Sequence, residues 1–195
     1  MINVSRIEDG RRKRGDQSRR QIVEAMLDLV RAGDMSPSAS QVAERAGVGL
    51  RTVFRHFEEM EILYREMAEV IAAKVIPLVK RPYTKTTWRE RLSEMIERRI
   101  EIHEEIMPLK IAGSVLRFRS KFLMEDYLAH LRMEREGLEA ILPDTVRKDQ
   151  TLFRAVEMVT SFQAWRRLRQ DQELSIADGK RVMLRLIDGI LGPAK

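Results

Sequence analysis

No cysteine occurs among the 195 residues, which excludes disulfides, thiolate metal sites and cysteine nucleophiles together. No stretch approaches the roughly 18 apolar residues of a membrane span. The opening segment Met1 to Arg6 holds no apolar core of signal-peptide length, so a cytoplasmic protein with no membrane partner is expected. Nowhere do four or more residues alternate convincingly between apolar and polar as a half-buried strand would. There is also no nucleophile set beside a base, no glycine-rich phosphate loop and no closed set of metal ligands. An all-α enzyme is therefore disfavoured, and neither a catalytic residue, a metal nor a cofactor is expected.

What is present suits long helices with solvated faces around a real core: 44% of residues are hydrophobic and 34% charged. The formal charge of +6 favours a polyanionic partner, either nucleic acid or an anionic membrane surface. Residues 1–16 lack helical periodicity and carry the run Arg11 to Arg14, so they read as a flexible basic arm. Apolar residues then recur at helical spacing from Ile22 to Val30, and Gly33 supplies a left-handed cap. Ser40, last of the polar loop 36–40, is placed to cap a short helix Gln41 to Ala46. A turn at residues 47–49 and a second short helix from Leu50 to about Phe57 follow.

The spacing predicts further helices over 59–79, 87–106, 109–119, 121–142, 149–170 and 175–191. Pro77 kinks or ends the first of these, Pro108 separates the second from the third, and Ser175 caps the last. The whole reads as all-α, with about nine helices. A helix-turn-helix domain fills 17–60, and 61–195 forms a larger ligand-binding and dimerisation domain, entered through a connecting helix over 61–80.

The segment Ser36 to Tyr64 carries the functional signal. Val42 and Ala43 face the core of a three-helix unit, Ala46 lets two helices cross closely, and Gly47 takes the positive φ of a tight turn. Val48 plugs the gap from within the turn. Val53 and Phe57 face inward from the second helix, which leaves Leu50, Arg51, Thr52, Phe54, Arg55 and His56 on the outer faces. A short helix of this kind fits the major groove of double-stranded DNA, with its first residues against base edges. Arg51 suits guanine O6 and N7, and Thr52 suits a base, a thymine methyl or a phosphate. Arg55 and His56 suit the sugar-phosphate backbone. Ser40, Gly49 and, from the arm, Arg12 and Arg14 complete the candidate contacts.

These residues resemble the DNA-binding domain of the tetracycline-repressor family of bacterial transcription regulators. The resemblance lies in Val42-Ala43, Ala46-Gly47-Val48, Thr52-Val53-Phe54-Arg55-His56-Phe57 and Glu61-Ile62-Leu63-Tyr64, and covers about residues 18–70. A weaker likeness runs through Ala164 to Arg169, Leu174-Ser175 and Ala177. Three positions depart from the family pattern. Phe54 stands where tyrosine is usual, Arg51 where a small residue or proline is usual, and Met60 where lysine is usual.

The resemblance implies a homodimeric repressor on a pseudo-palindromic operator, released by a small-molecule effector. Control by a partner protein, with no small-molecule ligand, is the alternative reading. For an effector pocket the candidate lining is Met95, Ile96, Ile100, Met107, Ile111, Val115, Phe118, Phe122 and Tyr127, with ordinary core as the competing reading. The family also implies a four-helix interface built from the last two helices. Its candidates are Val156, Val159, Phe162, Trp165, Val182, Leu186 and Ile190. Asp126, His130 and Glu134 share one helix face at metal-ligand spacing, but an exposed charged face shows the same spacing.

Overall fold

Ten α-helices and one π-helical turn account for most of the computed structural model, and none of the described residues lies in a strand. The structure describes residues 4–57 and 60–192, with side chains from Gly15 onward. In chain order the helices are α1 (Val4–Arg31), α2 (Ala39–Ala46), α3 (Leu50–His56), α4 (Met60–Val79), α5 (Trp88–Leu116) and α6 (Lys121–Ile141). There follow α7 (Asp144–Arg147), α8 (Gln150–Val159), α9 (Phe162–Arg166), the π turn Arg167–Asp171 and α10 (Ile176–Leu191). Among the described residues, no helix is long and apolar enough to cross a membrane.

The chain forms two compact units. Unit 1 takes in the chain up to Ala73 together with Pro108–Tyr127; unit 2 takes in Lys74–Met107 and the chain from Leu128 on. In unit 1 the helical stripe Ile22, Val23, Met26, Leu27 and Val30 of α1 meets Val42 and Ala43 of α2. Val53, Phe57, Leu63 and Met67 complete the same core. Burying each such large side chain stabilises the unit by about 1.5–3 kcal/mol. In unit 2 Leu92, Ile96 and Ile100 of α5 pack with Leu138 of α6, Phe153 and Val156 of α8, Trp165 of α9, and Met183 and Ile187 of α10.

Several boundaries differ from the sequence expectation, each for a local reason. The backbone is already helical at Val4, whereas periodicity placed the start at Asp16. Pro108 does not separate two helices, because α5 runs through it to Leu116. A proline there forfeits the hydrogen bond to the Glu104 carbonyl and costs about 3 kcal/mol, which burial of Leu109 and Ala112 just beyond it offsets. Pro77 likewise sits inside α4 without ending it.

The cap of α2 is Ser38, not Ser40. The Gln41 amide N–H donates to Ser38 Oγ at 3.3 Å, while Gln41 Oε1 accepts from the Ser38 amide at 2.9 Å, a reciprocal capping box. Gln41 Nε2 also donates to Asp34 at 2.7 Å, which ties the loop to the cap. The helix expected over 149–170 breaks after Val159. Thr160 Oγ1 donates back to the Val156 carbonyl at 3.0 Å, and the Ser161 side chain caps α9 at the Ala164 amide. Ser175 caps α10 as expected, its side chain accepting from the Asp178 amide.

Candidate nucleic-acid interface

Three helices and two caps position α3. Gly47 adopts φ 65° and ψ 31°, the left-handed conformation expected of it, and ends α2. The Val48 amide donates to the Ala43 carbonyl at 3.0 Å, closing the turn, and Val48 itself packs against the core of unit 1. Gly49 then leads into α3 with extended backbone and no side-chain cap. Val53 and Phe57 are buried. At about 100° per residue, fixing those two inward turns Arg51 and Arg55 outward and Phe54 to the side, while Leu50 is left uncovered as the first residue of the helix; all four are exposed. Thr52 is half-buried, and Ser40 lies exposed in the first turn of α2. Neither Arg51 nor Arg55 has a carboxylate partner among the described residues. The side chains of Arg12 and Arg14 lie outside the described residues.

The fold is that of two solved structures of regulators. A transcriptional regulator from Rhodococcus sp. Rha1 matches with a TM-score of 0.69 at 19% identity, over 89% of this chain and 95% of that one. A proposed transcriptional regulator, SCO7518 from Streptomyces coelicolor A3(2), matches with a TM-score of 0.59 at 21% identity, over 88% of this chain and 98% of that one. No protein-family model and no curated protein matches the chain.

Two side chains near α3 have roles that local sequence does not reveal. Arg19, which sequence groups with the basic arm, donates to Glu66 of α4 at 2.6 Å and lies over the Phe57 ring at 5.0 Å. It fastens α1 to α4 across a separation of 47 residues, which no periodicity could signal. His56 turns inward: Nε2 is buried with no hydrogen-bond partner among the described residues, and Cε1 lies 3.9 Å from where a Cβ on Gly15 would stand.

Desolvation, then the charges of Arg55 and Arg19, hold the His56 imidazole below its ordinary 6.5, against a smaller opposing pull from Asp16. The folded chain therefore binds this proton less well than the unfolded chain. The stability His56 confers is full above 6.5 and is lost as pH falls through the lower folded-state value. Urea midpoints measured at about pH 7.5 and about pH 5.5 should differ less for His56→Gln than for the native chain. An equal pH dependence in both would remove His56 from this account.

The nine candidate pocket residues divide between the units. Met95, Ile96 and Ile100 lie in the core of unit 2, with Met107 packed against it. Ile111, Val115, Phe118, Phe122 and Tyr127 belong to unit 1, where Val115 and Phe118 are exposed and the Arg117 guanidinium lies 3.9 Å from the Tyr127 ring centroid. Ile100 also borders a cleft of about 700 Å³ in unit 2, beside four glutamates and two lysines. Glu134 stands 3.9 Å from Nε2 of buried His103, and among the described residues no three potential ligands gather around a metal position.

The seven candidate interface residues separate by burial. Val156, Phe162 and Trp165 are enclosed within the single chain, and Val159 is half-buried. Val182 and Leu186 are exposed on α10, and half-buried Ile190 continues their four-residue spacing. Ile176 of α10 is exposed, as is Met158 of α8, an apolar residue that sequence did not single out.

Proposed function

We propose that the chain is a cytoplasmic, homodimeric DNA-binding regulator of the tetracycline-repressor type, a repressor released from its operator by a small molecule. The observation that carries the DNA reading is α3 itself. Its inward residues are fixed by burial, and its outer face presents two arginines with no carboxylate partner among the described residues. The resemblance over residues 18–70 and the likeness in fold to two transcriptional regulators support the same reading.

The dimer reading is supported by the exposed apolar pair Val182 and Leu186 of α10. Two copies joined there would carry two reading helices into successive major grooves of a pseudo-palindrome. The effector's proposed contacts are the candidate residues of unit 2, Met95, Ile96, Ile100 and Met107, and its influence is bounded by its differential affinity for the DNA-bound and released states.

Selection of duplexes from a random library with the full-length protein is expected to enrich inverted repeats with half-sites centred about 34 Å, or one helical turn, apart. Leu186→Glu should leave the helical signal unchanged, lower the sedimenting mass to that of one chain and abolish binding to the selected duplex. A chain that sediments as a monomer throughout, or a library that yields no enriched duplex, overturns the proposal.

A further inference from the structure

Two stripes of different chemistry share the outer face of α3. Among the described residues of α1, α2 and α3, Leu50 and Phe54 are the large apolar side chains left exposed, at 42% and 53%. Four residues apart, they stand within about 40° of each other around the helix axis. Arg51 and Arg55, also four apart, form the neighbouring stripe. The packing needs of α3 are already met by buried Val53 and Phe57.

Phe54 carries no hydrogen-bond donor or acceptor on its side chain, so it has nothing to offer a phosphate oxygen. Leu50 is the same in this respect. An exposed face that pairs apolar side chains with unpartnered cations matches a surface that is anionic yet offers apolar groups. The major groove of DNA is such a surface, and the apolar group it offers is the C5-methyl of thymine.

We infer that Leu50 and Phe54 read thymine methyl groups, so that each half-site carries thymine beside the base pair that Arg51 contacts. This rests on the DNA-binding reading above and adds the class of base that the apolar stripe selects. Cytosine at the same position lacks the methyl, and purines present polar N7 there, so both lose the apolar contact.

Deoxyuridine separates this contact from every other, because it removes the methyl and keeps the pairing and the polar groove edge. Each thymine of the duplex selected by the full-length protein would be replaced in turn, and the dissociation constant measured at one fixed salt concentration. Loss of a contacted methyl should weaken native binding about fourfold, the worth of one buried methylene. In Phe54→Ala or Leu50→Ala that ratio should fall to about one at the position each side chain contacts. Both residues are exposed, so the variants should fold, which circular dichroism would check. Equal binding of thymine and uracil duplexes at every position overturns the inference, as does discrimination that survives both substitutions. A folded protein that enriches no duplex at all defeats the DNA-binding reading itself, a separate result from selection of a duplex indifferent to the methyl.

Discussion

Replacing Trp165 with alanine is expected to cost about 3–5 kcal/mol, the usual loss for a buried large aromatic side chain. In a chain of this length that lowers the melting temperature by about 10 °C. Trp165 is fully buried in the core of unit 2. A Cβ on Gly179 would stand 3.0 Å from Cζ3 and 3.1 Å from Cη2 of the indole, so α10 approaches the ring as closely as a residue without a side chain allows. Once the ring is gone, Gly179 has nothing with which to fill the space.

The indole N–H donates to Glu104 Oε1 at 2.8 Å, but Glu104 keeps Arg169, which donates to both carboxylate oxygens at 2.8 and 3.2 Å. The cavity therefore dominates the loss, and Trp165→Phe, which retains a ring, should cost only about 1–3 kcal/mol. Urea unfolding of the three chains checks this ordering. A Trp165→Ala cost below about 1 kcal/mol would refute the packing of α10 on the ring. The same variant should weaken the proposed dimer, since the exposed Val182 and Leu186 lie on the helix that the indole supports.

Trp165 also illustrates how far the sequence reading reached. Apolar periodicity separates residues that face inward from those that do not, and it located the core stripe of α1, the inward pair Val53 and Phe57, and the left-handed Gly47. Periodicity does not say whether an inward residue meets its own chain or a second copy. Trp165, Val156 and Phe162 belong to the first kind, Val182 and Leu186 to the exposed face. The helix ends were harder, because they depend on which of several polar side chains reaches a backbone amide. Ser36, Ser38 and Ser40 offered similar chemistry, and the choice fell to Ser38 because Gln41 stands three residues later to complete the box.

Pro108 looked like a break because its intrinsic cost is local, whereas Leu109 and Ala112, whose burial offsets it, share a core with residues distant in sequence. Arg19 was legible as a cation but not as a clamp on Glu66, and His56 as an outer-face residue but not as one turned toward Gly15. Residue type could not resolve either, since both depend on how α1 and α3 meet.

Removing the Arg51 guanidinium is expected to weaken binding to the selected duplex by about thirtyfold or more. A bidentate contact to guanine contributes about 1–3 kcal/mol of discrimination, and the proposed symmetric dimer would make it twice. Arg51 is exposed and has no carboxylate partner among the described residues, so Arg51→Ala should change stability by no more than about 0.5 kcal/mol and the loss falls on recognition. Binding to random duplex should change far less, and preference should relax at one base pair of each half-site.

Arg55 stands on the same stripe one turn further along α3 and provides the contrast. If it neutralises a phosphate, Arg55→Ala lowers affinity for selected and random duplexes alike. It should also reduce the slope of log affinity against log salt by about 0.9 for each subunit. With the His56 Nε2 turned inward, Arg55 is left as the cation on the C-terminal half of α3 that can meet the backbone. Titrations of both duplexes at several salt concentrations distinguish the two roles. A salt slope that moves with Arg51 and base preference that moves with Arg55 would exchange them, and an unchanged affinity in both variants would mean that this face of α3 does not meet DNA.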